Sequence, residues 1–196
     1  LFSIDIEGTT TAVELTNFEA TIYLSNILNF AISPDGNYVL FTYRKNAENW
    51  DELYSVPIGG GTPTRLNNNF VGAPNNGDIT FKISPNSQKV VYLADQNSTG
   101  ARNLYVAPIN SSNAAAQLND TIVPGGQILD DFEIDKDGTM VTYRGDITTQ
   151  GAINLYASAT SGLGSLSMVS PLCSGCEVID FKLHIDSNYI LYRVSD

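Results

Sequence analysis

Hydrophobic positions along the 196-residue chain fall in short bursts rich in β-branched and aromatic residues, separated by Gly, Pro, Asn, Asp and Ser. The bursts recur. Phe30, Phe81, Phe132 and Phe181 each open a stretch that aligns with the other three without a gap: Phe30-Ala-Ile-Ser-Pro-Asp-Gly to Phe41, Phe81-Lys-Ile-Ser-Pro-Asn-Ser to Tyr92, Phe132-Glu-Ile-Asp-Lys-Asp-Gly to Tyr143, and Phe181-Lys-Leu-His-Ile-Asp-Ser to Tyr192. An interval of about 50 residues with β-type composition means a repeat architecture.

Within each copy a short first strand runs into a predicted two-residue hairpin turn, at Asp35-Gly36, Asn86-Ser87, Asp137-Gly138 and Asp186-Ser187. A second strand follows at Val39 to Thr42, Val90 to Leu93, Val141 to Arg144 and Ile190 to Arg193, built from residues that suit a pleated surface. After a polar loop of variable sequence and fixed length, a third strand starts at Leu53-Tyr54, Leu104-Tyr105 and Leu155-Tyr156. A turn-rich segment such as Gly59 to Pro63 leads to a weaker fourth strand ending near Leu66, Leu118 or Val169. Four antiparallel strands per repeat make a propeller blade, so the expected fold is an all-β propeller.

Leu1 to Ile6 matches Leu53 to Ile58, so residues 1–29 carry the third and fourth strands of a blade. Residues 181–196 carry the first two, and the complete blades are 30–80, 81–131 and 132–180. The two halves together make one blade, and pairing them would close a four-bladed ring in a single domain while removing two sheet edges. A longer propeller cut at two equivalent loops, or two chains pairing their open edges into an eight-bladed ring, would have the same sequence pattern.

The motif Phe-x-Ile-Ser-Pro-Asp-Gly-x-x-Val-x-Phe/Tyr, followed by Leu-Tyr and a Gly/Pro turn, resembles the WD-like propeller repeats of the TolB type. It stands fully in residues 30–41 and nearly so in 81–92, whereas 132–143 and 181–192 lack the Ser-Pro pair. Such repeats occur in the periplasmic Tol–Pal component, in the propeller that gates prolyl oligopeptidases and in other exported proteins. The resemblance implies a periplasmic or extracellular binding scaffold, without naming a ligand.

A net charge of −11 and a pI near 4.3, with only 10 Lys and Arg, argue against nucleic-acid binding, which needs clustered cations. No apolar run approaches the roughly 18–20 residues a membrane span needs, so membrane insertion is not expected.

Candidate chemistry is sparse. The Gly-x-Ser-x-Gly elbow of the peptidase relatives' catalytic domain is absent, and Ser161-Gly162-Leu163-Gly164-Ser165 reads as a turn between third and fourth strands. His184 is the one histidine and takes the place of Ser33 and Ser84 beside the first turn. Neither catalysis nor a cofactor is expected. Cys173 and Cys176 lack the second pair a zinc site needs, and read as a short local disulfide, with free thiols as the alternative. Asp135-Lys136-Asp137-Gly138 resembles part of a calcium loop, but the repeat already explains it as a turn.

Two places remain for binding. One is the face made by the loops between second and third strands and between blades, where Arg44, Lys45 and Trp50 combine residue types frequent at binding hot spots. Trp50 either meets a partner or folds back to cap its own blade. The other is the central channel, where Lys82, Glu133 and Lys182 follow successive phenylalanines and either bind a small polar or anionic ligand or pair with one another. Recognition of a protein or peptide by the loop face is the leading expectation. Carbohydrate or small-molecule binding in the channel, with or without Ca²⁺, is the second, and a propeller fragment of a larger exported protein or peptidase is the third. The chain is expected as a monomer or an edge-paired dimer.

Overall fold

The computed structural model describes residues 1–16, 26–44, 50–71, 77–97, 100–112, 115–162, 167–170, 176–184 and 189–195. Among these every regular element is a strand, and no helix is long and apolar enough to cross a membrane. Three four-stranded antiparallel sheets follow one another along the chain. The first contains β3 (Asn26–Ile32), β4 (Tyr38–Arg44), β5 (Asp51–Pro57) and β6 (Thr64–Arg65). The second contains β7 (Thr80–Ile83), β8 (Lys89–Ala94), β9 (Asn103–Pro108) and β10 (Ala116–Gln117). The third contains β11 (Glu133–Ile134), β12 (Met140–Gly145), β13 (Asn154–Ala159) and β14 (Ser167–Met168). Two-stranded sheets flank them, β1 (Phe2–Ser3) with β2 (Val13–Glu14), and β15 (Val178–Leu183) with β16 (Ile190–Val194).

The repeat is visible in the register. Phe41 lies opposite Tyr54, Tyr92 opposite Tyr105 and Tyr143 opposite Tyr156. Each pair stacks, with ring centroids 5.7, 5.4 and 5.9 Å apart, a geometry that adds roughly 0.5–1.5 kcal/mol to the area buried. The third and fourth strands are joined alike in every sheet that has them. Leu15, Leu66, Leu118 and Val169 donate their backbone N–H to Leu1, Leu53, Leu104 and Leu155. The return bond goes from Leu53 and Leu104 N–H to the Asn67 and Asn119 side chains, and from the Leu1 amino group to Thr16 Oγ1. Those short polar side chains satisfy a strand-end donor that the two-residue fourth strand leaves over.

The first turns are longer than the sequence predicts. Ser33 and Tyr38 close the β3–β4 hairpin, leaving Pro34 to Asn37 as a four-residue loop. Only one residue per loop takes a positive φ: Gly36 (75°), Ser87 (59°) and Gly138 (70°). The preceding Asp35 stays at negative φ because its side chain is occupied, accepting from Ser33 Oγ at 2.6 Å and Asn37 N–H at 3.1 Å. Asn86 does the same work in the second sheet. In the third, Asp135 replaces the serine and accepts the N–H groups of Thr139 and Met140 at 2.6 and 2.9 Å. The acidic run that resembles a calcium loop is thus committed to its own turn. Asp186 and Ser187 lie outside the described residues.

Apolar clusters fill the spaces between successive sheets. Leu40, Leu53 and Leu66 meet Phe81, Val90 and Tyr92, and on the far face Val91, Leu93 and Leu104 meet Phe132, Val141 and Tyr143. Backbone-directed bonds repeat across these gaps, from Ser3 Oγ to Ile58 O and from Ser55 Oγ to Ile109 O. The turns are linked too: Asp35 N–H donates to Ser87 Oγ, and Asn86 Nδ2 to Asp137 O. The bond from Asp35 accounts for a serine at position 87, where glycine would relieve strain.

Among the described residues β1–β2 and β15–β16 stand as separate sheets, so closure of the expected four-bladed ring is not shown. Phe81, Phe132 and Phe181 are buried, but Phe30, at the same place in the repeat, is 60% exposed. Among the described residues the sheet before it supplies strands equivalent to the third and fourth, which cover Phe41, Tyr43 and Val56 through Leu15 and reach Ile27 on the first strand but leave Phe30 exposed.

Candidate functional site

The loop face carries an open cleft of about 560 Å³ between the second and third sheets. One wall is the β8–β9 connection with the start of β9, bringing Asn97, Arg102 and Asn103; the other is the β10–β11 connection from Thr121 to Ile128. Gln117 on β10 closes one end.

Each wall is fixed by a buried carboxylate at the same repeat position. Asp95 accepts the Gly100 N–H at 3.2 Å, and Asp146 accepts the Gly151 N–H at 2.8 Å, so in both sheets an aspartate just past the second strand closes the following loop. Asp146 also accepts Gln127 N–H at 2.6 Å, while its own N–H donates to Gln127 O, strapping the inter-sheet loop onto the third sheet. Close approach there requires Gly126, where an added Cβ would come within 2.4 Å of Asp146 O.

The polar side chains form a chain of amides. Asn119 Nδ2 donates to Asn103 Oδ1 at 2.9 Å, Gln117 Nε2 donates to Asn119 O at 2.9 Å, and Asn97 Nδ2 reaches Gln117 Oε1 at 3.4 Å. Arg102 donates to Asp130 Oδ2 at 2.7 Å. Partial burial pushes the Asp130 carboxyl up, but the Arg102 guanidinium and the Thr80 hydroxyl together hold it below its ordinary value. The cleft is therefore bordered by neutral amides bonded largely to one another, by Arg102 of the Arg102–Asp130 ion pair, and by the apolar Ile122, Val123 and Ile128. Among the described residues that line it, none presents a nucleophile beside a base. Among the described residues no cluster of three His, Cys, Asp or Glu could hold a metal.

The residues singled out from sequence sit elsewhere. Arg44 spans Asp51 and Asp78, each at 2.6 Å, tying the first sheet to the approach of the second. Trp50 is half-buried, with its ring 5.9 Å from Phe70. Lys45 lies outside the described residues. Lys82 is placed 5.6 Å over the Phe132 ring, and Glu133 accepts the Leu183 N–H at 3.0 Å. Those two border a small cavity of about 190 Å³ that Lys182 does not line. Among the described residues no ion pair joins Lys82, Glu133 and Lys182. Cys176 is disulfide-bonded, and Cys173 lies outside the described residues. His184 donates its N–H to Tyr189 O, as a turn-flanking residue does.

The cleft residues escaped sequence reading because no motif marks them. The repeated spacing of Asp95 with Gly100 and of Asp146 with Gly151 was the available signal.

No protein-family model matches the chain, and no curated protein matches it. Among solved structures it is similar to a prolyl endopeptidase, with a TM-score of 0.59 and 14% identity over 87% of this chain and 26% of that one. It is also similar to TolB from Acinetobacter baumannii, with a TM-score of 0.47 and 17% identity over 72% of this chain and 32% of that one. The chain thus spans about a quarter of the peptidase's length. The first likeness is one of fold: with its successive four-stranded antiparallel sheets, the chain is an all-β protein of propeller type.

Proposed function

We propose that the chain is a non-enzymatic, exported propeller scaffold that binds a protein or peptide segment in the cleft between Asn97–Asn103 and Thr121–Ile128. The observation that supports this reading is the cleft's size and lining: about 560 Å³ bordered by the amide side chains of Asn97, Asn103 and Gln117 beside the apolar Ile122, Val123 and Ile128, with one wall held down by Asp146. A net charge of −11 favours basic segments and predicts binding that weakens with salt. A disulfide-bonded Cys176 supports an oxidising compartment.

The test is selection of a random-peptide display library on the immobilised chain, followed by binding of the enriched peptides to Thr121→Trp, which fills the cleft from an exposed position. Enriched peptides should lose at least about tenfold in affinity on this variant, about 1.4 kcal/mol, and keep their affinity on Lys182→Ala. Peptides that bind Thr121→Trp undiminished, or a chain stabilised by glycans or Ca²⁺ but by no peptide, would overturn the proposal.

A further inference from the structure

The cleft between the second and third sheets has a counterpart one repeat earlier, and the same bonds frame both. Leu53 and Leu104 donate their N–H groups to Asn67 and Asn119 Oδ1 at 2.8 and 2.7 Å. Val71 and Val123, four residues beyond those asparagines, donate to Gln96 O and Ile147 O, each at 2.9 Å. Between these fixed points Phe70 and Ile122 hold one position of the repeat. Three residues before the leucines, Trp50 and Ala101 hold another.

In the earlier gap both positions are aromatic. Phe70 packs against the cluster between the first and second sheets, and the Trp50 ring lies 5.9 Å from it at an interplanar angle of 52°. In the later gap Ile122 packs against the next cluster in the same way, but Ala101 supplies a methyl group where Trp50 supplies an indole. Gly100, at a φ of 84°, adds no side chain beside it, and Gly125 and Gly126 add none on the facing wall. The open cleft of about 560 Å³ thus falls where the preceding repeat places an aromatic ring of its own.

We infer, resting on the peptide reading of this cleft, that the segment it takes is anchored by an aromatic side chain, Trp or Tyr, seated against Ile122 beside Ala101 as Trp50 sits against Phe70. Aromatic anchors that fill a pocket dominate binding energies at protein interfaces, and a rigid ring is ordered at low entropic cost. A buried indole N–H or phenol O–H also needs a hydrogen-bond partner. Asn97 and Thr121, both exposed on the border of the cleft, carry oxygens that can accept it. An aliphatic side chain would bury less area in the same space and leave those oxygens unused.

The test titrates N-acetyl-tryptophanamide, with N-acetyl-leucinamide as the aliphatic control, into the isotope-labelled chain of residues 1–196 and follows amide NMR shifts. Saturable shifts should centre on Ala101, Ile122 and Val123, with the tryptophan amide binding at least about fivefold more tightly because its ring buries more apolar area. Ala101→Trp writes the preceding repeat's indole into the cleft and should abolish those shifts. Ile122→Phe restores the preceding repeat's ring as floor and should tighten the tryptophan amide by about threefold, which keeps the test decisive if Ala101→Trp fails to fold. Equal affinities for the two amides, shifts centred elsewhere, or shifts unchanged in a folded Ala101→Trp chain would overturn the inference. The two readings fail separately. Display peptides that lose affinity on Thr121→Trp but keep it when their aromatic residues become Leu would sink the aromatic anchor and leave the peptide site standing. A library that yields no peptide, while the tryptophan amide binds at Ala101 and Ile122, would do the reverse.

Discussion

Phe132→Ala and Phe30→Ala delete the same side chain at the same position of the repeat, yet should differ severalfold in their effect. Phe132 is fully buried between the second and third sheets, among Val91, Leu93, Val141 and Tyr143, with the Lys82 ammonium over its ring. Truncation removes its transfer free energy and leaves a cavity that flanking strands cannot collapse, costing roughly 3–5 kcal/mol. The lost cation–π contact adds about 0.5–1 kcal/mol. Phe30 is already 60% exposed, so its loss in the dilute single chain costs below about 1 kcal/mol, given that complete burial of such a side chain is worth about 1.5–3 kcal/mol. Urea unfolding followed by circular dichroism and by Trp50 fluorescence measures both, and coincident transitions would license a two-state treatment. Phe132→Ala should lower the midpoint with an unchanged slope, and lower the melting temperature by on the order of 10 °C. Equal losses for the two variants in the dilute chain would refute the assignment of Phe30 to an uncovered sheet face.

Three further outcomes are expected. Asp146→Ala removes the buried carboxylate that holds Gln127 and Gly151 N–H groups and should cost about 2–3 kcal/mol, with faster hydrogen exchange at those two amides as the specific readout. Ser87→Gly relieves a positive φ but deletes the acceptor of Asp35 N–H, so the two effects of about 1 kcal/mol each should nearly cancel; a gain of the full amount would mean the inter-sheet bond contributes nothing. The hydrogen bond from the Ser33 hydroxyl, then those from Asn37, lower the exposed Asp35 carboxyl to about 2. A depressed carboxyl contributes stability that is fully present above its unfolded value near 3.9 and is lost as pH falls toward about 2. Carbon-detected titration should therefore place the Asp35 midpoint below that of free aspartate, and Asp35→Asn should flatten that acid limb.

The strands and their order were legible because they are short-range properties. A run of β-branched and aromatic residues followed by a turn specifies a hairpin locally, and copying it along the chain specifies successive sheets. Asp35 shows where local reading stops: its type marks a turn, but the loop's four-residue length came from the bonds its carboxylate makes to Ser33 and Asn37. Arg44 and Trp50 were conspicuous by type, while their actual partners, Asp78 and Phe70, come from distant segments. The cleft was hidden because its two walls, near Arg102 and near Gly126, become neighbours only when two sheets pack and Asp146 straps the second wall down.

The sequence by itself determined the repeat, the strand order within each sheet and the aromatic positions that stack, since each follows from side-chain periodicity and turn chemistry over a few residues. Tertiary structure decided which copies of a repeated residue are covered, burying Phe81, Phe132 and Phe181 and leaving Phe30 open. The physical reason is that burial belongs to the pair of sheets that meet, and an identical strand is core or surface according to what its neighbour supplies.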